Sequence, residues 1–163
     1  MYSLERTVVT PAPRSDVFRF FENTRNLDRI TPRWTGFRDA TEEGPPLFLG
    51  MRTLHHLCWF GVRLRWGSKI VEYEPPVRFV DQQTSGPYRY WRHDHMFEVV
   101  DGGTLMRDRV QYDIPFSILG KMVRTLIIER QLRKIFDYRE TLIMRLFADG
   151  HTRPEGDKRG TRS

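Results

Sequence analysis

A long stretch near the C-terminus, residues 119–147, contains no proline and, after Gly120, no glycine. Because these two residues are the least compatible with a helix interior, the composition predicts one long α-helix. Apolar residues recur along one side of it: Ile128, Leu132, Ile135, Phe136, Leu142, Ile143 and Leu146. A stripe of this length must be buried against another element, and we expect it to pack into the concave face of a sheet.

The first turns of the predicted helix do not share this stripe. Met122, Val123 and Leu126 lie on nearly the opposite side of a helical projection. Either the helix bends near Ile127, or its first two turns face a different surface from the remainder.

The chain before this helix consists mainly of runs that alternate apolar and polar residues. The predicted strands cover residues 4–9, 34–40, 52–60, 62–74, 78–83, 87–100 and 104–112. Gly61 and the triplet Asp101, Gly102 and Gly103 are turn signals that join neighbouring strands into hairpins. Two short helices, the second over residues 26–30, separate the first two strands. Short connections between successive strands indicate an antiparallel sheet.

The alternation also predicts which side chains face the helix. A two-residue turn that begins at Gly61 pairs Trp59 with Leu64. In residues 87–100 the face containing Trp91 is taken as the inner one because its far end is apolar, which places Tyr88 outside. The residues predicted to line a pocket are Trp59, Leu64, Trp66, Ser68, Trp91, His93, His95, Phe97, Asp108, Val110, Tyr112 and Phe136. Apolar walls with a few polar groups are typical of small-molecule pockets, although the aromatic residues can equally be ordinary core.

Three of these residues, His93, His95 and Asp108, are able to transfer protons. Inward-facing residues on neighbouring strands approach closely, and a carboxylate raises the pKa of a nearby histidine and orients its ring. Such a pair can act as general acid and base on a ketone or polyketide. The other interpretation is a buried network that satisfies its own hydrogen bonds and fixes strand register. The residues alone leave both interpretations open.

Metal binding is a further interpretation of the same histidines. His93 and His95, two residues apart on one strand, project to one face and can ligate zinc together with His55 or Asp108. Such spacing arises often by chance, and we expect neither a metal nor another cofactor.

Charge and cysteine content limit the class of partner. The formal net charge of +6 permits binding to anionic surfaces, but the arginines are spread along the whole chain. No phosphate-binding glycine loop and no RNA-binding aromatic motif is recognisable, so we expect no nucleic acid partner. The single cysteine, Cys58, rules out an internal disulfide. Since no secretory signal or membrane span is recognisable either, we expect a cytoplasmic protein.

Two apolar segments have no assigned partner. Leu47, Phe48 and Leu49 stand together in a proline-rich loop over residues 42–50, and residues 114–119 precede the long helix. Both segments can be tucked under the domain, which we favour for the loop. They can also rim the pocket beside cations such as Lys121, where they would suit peripheral contact with an anionic membrane.

Several of these segments together resemble the START-like superfamily, also called SRPBCC. Residues 86–116, GPYRYWRHDHMFEVVDGGTLMRDRVQYDIPF, contain the pattern W-x-H-x-H-x-F followed by G-G-T-x-x-x-D-x-V-x-Y. The segments NLDRITP (residues 26–32) and RQLRKIFDYR (residues 130–139) are similar to the same superfamily. The chain looks most like bacterial members labelled polyketide cyclase/dehydrase-like, coenzyme Q-binding-like or ligand-binding.

The resemblance implies an α+β helix-grip fold over residues 1–149. A curved seven-stranded antiparallel sheet would surround a long C-terminal helix, with two short helices between strands 1 and 2. The charged residues 150–163 are expected to form a disordered basic tail. The oligomeric state does not follow from the sequence.

The resemblance also implies that a hydrophobic small molecule, such as a lipid, a quinone or a polyketide-like compound, is bound or transferred in a cavity between sheet and helix. The alternative is a cofactor-independent cyclase or dehydratase that uses a His/Asp pair in the same cavity. A third interpretation is a protein-interaction module without a cavity. Because one scaffold hosts both carriers and enzymes, the fold does not decide among these functions.

Overall fold

The computed structural model describes residues 1–59, 61–114 and 121–148, and of residues 59 and 121–125 it describes the backbone only. The described strands are β1 (Tyr2–Thr10), β2 (Arg38–Asp39), β3 (Arg52–Trp59), β4 (Val62–Glu74), β5 (Arg78–Ser85), β6 (Tyr90–Val100) and β7 (Gly103–Asp113). They form one antiparallel sheet in the order β1-β7-β6-β5-β4-β3-β2. The predicted tail and residues 115–119 lie outside the described part of the chain.

In the described part of the chain, three α-helices accompany the sheet: α1 (Arg14–Phe21), α2 (Leu27–Ile30) and α3 (Lys121–Ala148). Single 3-10 turns at Thr24–Asn26 and Arg33–Thr35 flank α2. The order of strand, short helices, six strands and long helix confirms the predicted helix-grip fold. No helix within the described ranges combines the length and the apolar character that a membrane span requires.

Helix α3 buries the predicted apolar stripe. Ile128, Leu132, Phe136 and Ile143 are each at most 7% exposed, whereas Leu126 is 64% exposed. The helix runs without interruption from Lys121 to Ala148. The exposure of Leu126 is consistent with the first turns facing a different surface from the later stripe.

The predicted strand over residues 34–40 is wrong for most of its length. Residues Arg33–Thr35 form a 3-10 turn, and Gly36 ends it in the left-handed region at φ 56°. A Cβ at Gly36 would stand 3.0 Å from the Cβ of Cys58, so the chain passes too close to β3 for a larger residue. Only Arg38–Asp39 pairs with β3.

The β3–β4 hairpin is shifted by two residues from the predicted register. Trp59 pairs with Val62, and Leu57 pairs with Leu64. Because side chains alternate with a period of two, an even shift leaves the inner and outer faces unchanged. Ser68, a predicted inner position, is accordingly buried, as are Thr53 and His55 at alternate positions of β3.

The prediction that Tyr88 lies outside is also wrong. Strand β6 begins only at Tyr90, so the alternation does not extend back to Tyr88. The Tyr88 side chain is 8% exposed. Its ring centroid lies 5.3 Å from that of Trp66 and 4.8 Å from that of Trp91, so it packs against the inner face.

Two clusters of apolar side chains hold the helices on the sheet. The first joins α1 and the end of α3 to β5 and β6 through Phe18, Phe79, Phe97 and Ile143, among others. The second joins the middle of α3 to β1 and β7 through residues that include Leu4, Val110, Tyr112, Ile128, Leu132 and Phe136. These contacts fix α3 across the concave face of the sheet, and they leave space beside it.

Candidate functional site

A cavity of about 460 Å³ lies between the inner face of the sheet, the α1–α2 segment and α3. Its size falls within the range of sites that enclose a small organic ligand, roughly 300–1,000 Å³. Apolar lining residues come from every side, among them Phe21, Leu27, Trp34, Phe37, Leu57, Ile70, Leu132 and Ile135. The space predicted between sheet and helix is therefore present.

Three aromatic rings form one wall of this cavity. Trp66 on β4 and Trp91 on β6 meet edge to face, with centroids 4.9 Å apart, and Tyr88 contacts both rings. The indole Nε1 of Trp66 donates a hydrogen bond to Ser68 Oγ at 3.1 Å. Since the polar atom of Trp66 is satisfied internally, this wall offers a ligand mainly flat apolar surface.

Five of the predicted pocket residues line the cavity: Trp66, Ser68, Trp91, His93 and His95. Phe97 is packed in the first apolar cluster, and Val110, Tyr112 and Phe136 belong to the second. Leu64 lines a separate depression along the β3–β4 hairpin. The side chain of Trp59 lies outside the described part of the structure. Direct contact of any of these residues with a ligand stays a prediction.

Three buried residues, His93, His95 and Asp108, and the partly buried Asp81 form what we term the polar cluster. Strand register places Asp81 opposite His93 and Asp108 opposite His95, but the hydrogen bonds run diagonally. His93 Nε2 lies 3.0 Å from Asp108 Oδ1, and His95 Nε2 lies 3.1 Å from Asp81 Oδ2. His95 Nδ1 is a further 2.9 Å contact of Asp108 Oδ1. The carboxylate of Asp108 thus contacts both imidazoles, and that of Asp81 contacts His95 and lies 3.8 Å from His93 Nδ1.

Stacking between rings holds the two imidazoles in place. The centroids of His93 and His95 are 3.7 Å apart, and Phe79 stacks on the other face of His95 at 4.2 Å. Phe136 from α3 meets His93 edge to face at 5.7 Å. Because the rings are fixed by packing as well as by hydrogen bonds, their nitrogen atoms keep defined directions.

The two imidazoles differ in their affinity for a proton. Burial lowers the pKa of His95, but the adjacent carboxylates of Asp108 and Asp81 outweigh burial and raise this pKa to about 8. Burial and the positive charge of His95 lower the pKa of His93 in spite of the same carboxylates. At neutral pH the cluster therefore holds one imidazolium and one neutral imidazole.

Burial raises the pKa of each carboxyl in the cluster, but the imidazoles overcompensate. The hydrogen bonds and charges of His93 and His95 hold the pKa of Asp108 well below its ordinary range. The pKa of Asp81 is lowered for the same reason. Both carboxyls are therefore ionised at neutral pH. Asp108 does not line the cavity, so it lies behind the imidazoles as seen from the cavity.

Sequence reasoning missed two charged residues of this site. Asp81 lies on the predicted strand 78–83, two residues after Phe79, and shares its inward direction. Arg139 occupies a position of the α3 stripe, three residues after Phe136, and lines the cavity. Its guanidinium is buried near Asp108 and Asp81, and desolvation lowers its pKa. A charged residue at a stripe position was the signal available in the sequence.

A second polar pair, on β3 and β2, also reaches the cavity through His55. His55 Nδ1 is 3.3 Å from Asp39 Oδ1, and the same carboxylate accepts hydrogen bonds from Thr41. Burial raises the pKa of Asp39, but the bonds from His55, Thr24 and Thr41 hold it below its ordinary value. This pair fastens β2 to β3, and its imidazole is near enough to the polar cluster for its charge to act on Asp81.

The loop over residues 42–50 is only partly tucked under the domain. Leu47 is buried and lines the cavity, and its backbone N–H donates to the carbonyl of Glu22. Phe48 and Leu49 are 48% and 63% exposed. The loop therefore contributes one residue to the cavity and presents two apolar side chains to solvent.

A protein family described as "Polyketide cyclase / dehydrase and lipid transport" matches residues 10–137. No curated protein matches the sequence. Among solved structures, the Zhui aromatase/cyclase from Streptomyces sp. R1128 is similar over 95% of this chain and 98% of its own, with a TM-score of 0.74 and 16% identity. The protein TTHA0849 from Thermus thermophilus is similar over 88% of this chain and 98% of its own, with a TM-score of 0.67 and 16% identity.

NE0264 from Nitrosomonas europaea has a TM-score of 0.69 and 12% identity, and the similarity covers 93% of this chain and 97% of that chain. At these levels of identity the structural comparisons show a shared fold. The match to the family covers most of the chain and extends from the end of β1 into α3, so it includes every residue of the polar cluster.

Proposed function

Since the chain belongs to the polyketide cyclase/dehydrase and lipid transport family, we propose that it binds a hydrophobic small molecule beside α3. The observation that carries this proposal is the cavity of about 460 Å³ with its wall of three aromatic rings. A lipid, a quinone or a polyketide-like compound has the apolar body that such a wall would cover. The polar cluster at one side would hydrogen-bond to the ligand's oxygen atoms.

Removal of apolar surface from water supplies most of the binding energy in this proposal. Each Å² of apolar surface buried contributes about 25 cal/mol. The polar cluster would orient the ligand but add little to the free energy of binding. Its groups already hydrogen-bond to one another, so a bond to the ligand would replace an existing one. We therefore expect aromatic wall residues to govern affinity, and the imidazoles to govern the orientation of the ligand.

Trp66→Ala is expected to weaken binding of the fluorescent probe 1-anilinonaphthalene-8-sulfonate by about 5- to 30-fold. A ring face that contributes roughly 40–80 Å² of contact is worth about 1–2 kcal/mol. Titration of the folded protein with the probe measures the dissociation constant. Phe48→Ala is the matched control, since it removes a half-exposed ring that does not line the cavity. Equal losses in both variants would show that the probe binds outside the cavity.

Native mass spectrometry of the purified protein tests the same proposal without a chosen ligand. A co-purifying apolar compound, released on denaturation, would support the role of carrier. A folded protein that fails to bind the fluorescent probe at all would contradict the proposal and would favour the interpretation as an interaction module.

The polar cluster supports a second candidate function, a cyclase or dehydratase. Two imidazoles that face the cavity, each in contact with carboxylates, are placed to move protons on a bound ketone. In a dehydration one imidazole would take the proton from the carbon next to the carbonyl. The bond to the hydroxyl would break, and the other ring, as imidazolium, would protonate the departing oxygen to give water and the unsaturated ketone.

His95→Gln is expected to slow this reaction by about 10²- to 10⁴-fold if the cluster is catalytic. The formation of the unsaturated ketone from 4-hydroxy-4-phenylbutan-2-one can be followed by ultraviolet absorption. His56→Gln, on the exposed outer face of β3, is the control and should retain the wild-type rate. The enzyme function would be contradicted if the wild-type protein did not exceed the uncatalysed rate, or if His95→Gln kept the wild-type rate. Ligand binding would then remain as the proposed function.

A further inference from the structure

We propose that Asp81, His93 and His95 form a binding site for one divalent transition-metal ion, with Zn²⁺ as the best-matched ion. One donor atom from each of the three residues lies within 4.8 Å of the other two. His95 Nε2 is 3.1 Å and His93 Nδ1 is 3.8 Å from Asp81 Oδ2. The sequence alone suggested His55 or Asp108 as the third ligand, and the fold brings Asp81 to that position instead.

The spacing of the donor atoms matches what a tetrahedral ion requires. Zinc binds histidine nitrogen and carboxylate oxygen at about 2.0–2.2 Å, which places neighbouring donors roughly 3.3 Å apart. The two distances to Asp81 lie on either side of this value. Seating the ion therefore requires side-chain adjustments that bring all three donor atoms, which lie within 4.8 Å of one another, to this spacing.

Asp108 provides the outer support that histidine ligands usually have. His93 Nε2, the ring nitrogen away from Asp81, lies 3.0 Å from Asp108 Oδ1. Carboxylates that accept a hydrogen bond from the far nitrogen of a ligating imidazole fix its tautomer and increase its basicity. The hydrogen bond to Asp108 leaves the lone pair of His93 Nδ1 directed towards Asp81. Asp108 is thus a positioning residue in this site.

The charges around the site also accept a cation. Asp81 and Asp108 place two carboxyl groups beside the imidazoles, and among the described residues that line the cavity Arg139 is the one with a permanent positive charge. Two carboxylates against one guanidinium leave one uncompensated negative charge. A divalent ion at the site supplies the missing positive charge, with one unit in excess.

The open side of the site faces the cavity. Asp81, His93 and His95 line the cavity, whereas Asp108 lies behind them. A three-ligand site of this kind keeps a free coordination position for water or for an oxygen atom of a bound molecule. The inference is independent of what the cavity binds, but it excludes the acid–base role considered above, because the lone pairs of both imidazoles would be used by the ion.

Titration with Co²⁺ tests the proposal directly, because cobalt adopts zinc sites and reports its coordination by visible absorption. After treatment with a chelator, the full chain should take up one equivalent of Co²⁺, and one equivalent of Zn²⁺ should displace it. Asp81→Asn should weaken Zn²⁺ binding, measured by calorimetry, by more than about 100-fold. Asp108→Asn should weaken it by about 10- to 100-fold, as expected for an outer-shell partner.

His56→Gln is the matched control, since its imidazole is exposed on the outer face of β3 and should not affect binding. Nuclear magnetic resonance of the wild-type imidazoles avoids any variant that fails to fold. Zn²⁺ should shift the ring nitrogen signals of His93 and His95 and leave those of His56 unchanged. Absence of stoichiometric uptake, uptake that persists in Asp81→Asn, or shifts confined to other histidines would overturn the proposal.

Discussion

Asp108→Asn should lower the free energy of unfolding by about 3–5 kcal/mol, the usual result of removing one partner from a buried ion pair. The Asp108 carboxylate is 5% exposed and contacts both His93 and His95. Without it, the imidazolium of His95 keeps only Asp81 as a counter-charge. Chemical denaturation of the metal-free protein, with a chelator present, measures the difference.

Asp101→Asn provides the matched control for this experiment. Asp101 lies exposed in the turn between β6 and β7, and its replacement should change the stability by less than about 0.5 kcal/mol. A loss below about 1 kcal/mol in Asp108→Asn would mean that Asp81 alone satisfies both imidazoles. Because Asp108 has this structural role, its variants do not report cleanly on catalysis, and His95→Gln is the better test there.

The stability difference between wild type and Asp108→Asn should also depend on pH in a defined way. The lowered pKa of Asp108 means that its contribution is present above the unfolded value of about 3.9 and is lost as the pH falls below it. The raised pKa of His95 means that its contribution is present below about 6.5 and is lost as the pH rises through about 8. The difference should therefore be largest between about pH 4 and 6.5.

Phe97→Ala should destabilise the protein by about 3–5 kcal/mol and leave its affinity for the fluorescent probe unchanged. The ring is 1% exposed, and its centroid lies 5.3 Å from that of Phe18 and 5.6 Å from that of Phe21. Phe97 thus ties β6 to α1, and its removal would leave a hole in the core behind the cavity-lining residue Phe21, since Phe97 itself does not line the cavity. Thermal and chemical unfolding, together with probe titration, separate the two effects.

Val99→Ala is the control for this prediction. Val99 stands two residues further along the same strand and shares the predicted inner face with Phe97, but it is 68% exposed. Its replacement should change the stability by less than about 0.5 kcal/mol. A weakened affinity for the probe in Phe97→Ala would instead indicate that the cavity extends to this ring when a ligand is bound.

The contrast between Phe97 and Val99 shows how far the alternation of side chains along a strand can predict which residues are buried. A period of two fixes which residues share a face of a strand, and it placed Trp91, His93, His95 and Phe97 together on the buried side. It does not fix where the covering helices end. Val99 is exposed because the packed layer does not reach that end of β6, and this limit depends on α1 and α3.

Tyr88 and the β3–β4 hairpin mark a second limit. Where a strand begins, and which residues form a tight turn, depends on a few hydrogen bonds that alternation does not reveal. The shift of two residues in the hairpin did not affect the predicted inner and outer faces of β3 and β4, because an even shift preserves them. The start of β6 at Tyr90 did change the outcome for Tyr88, whose ring lies in the cavity wall and not on the outer face as predicted.

The amino-acid order by itself determined the elements and their inner faces, because helix and strand periodicities are properties of neighbouring residues. It therefore specified a sheet around a helix and paired His93 with His95 on one face. Only the tertiary structure decided that Asp81 and Arg139 join them. Their approach depends on which strands are adjacent, on the register between β5 and β6, and on where α3 crosses the sheet, and these are set by the packing of residues distant in the chain.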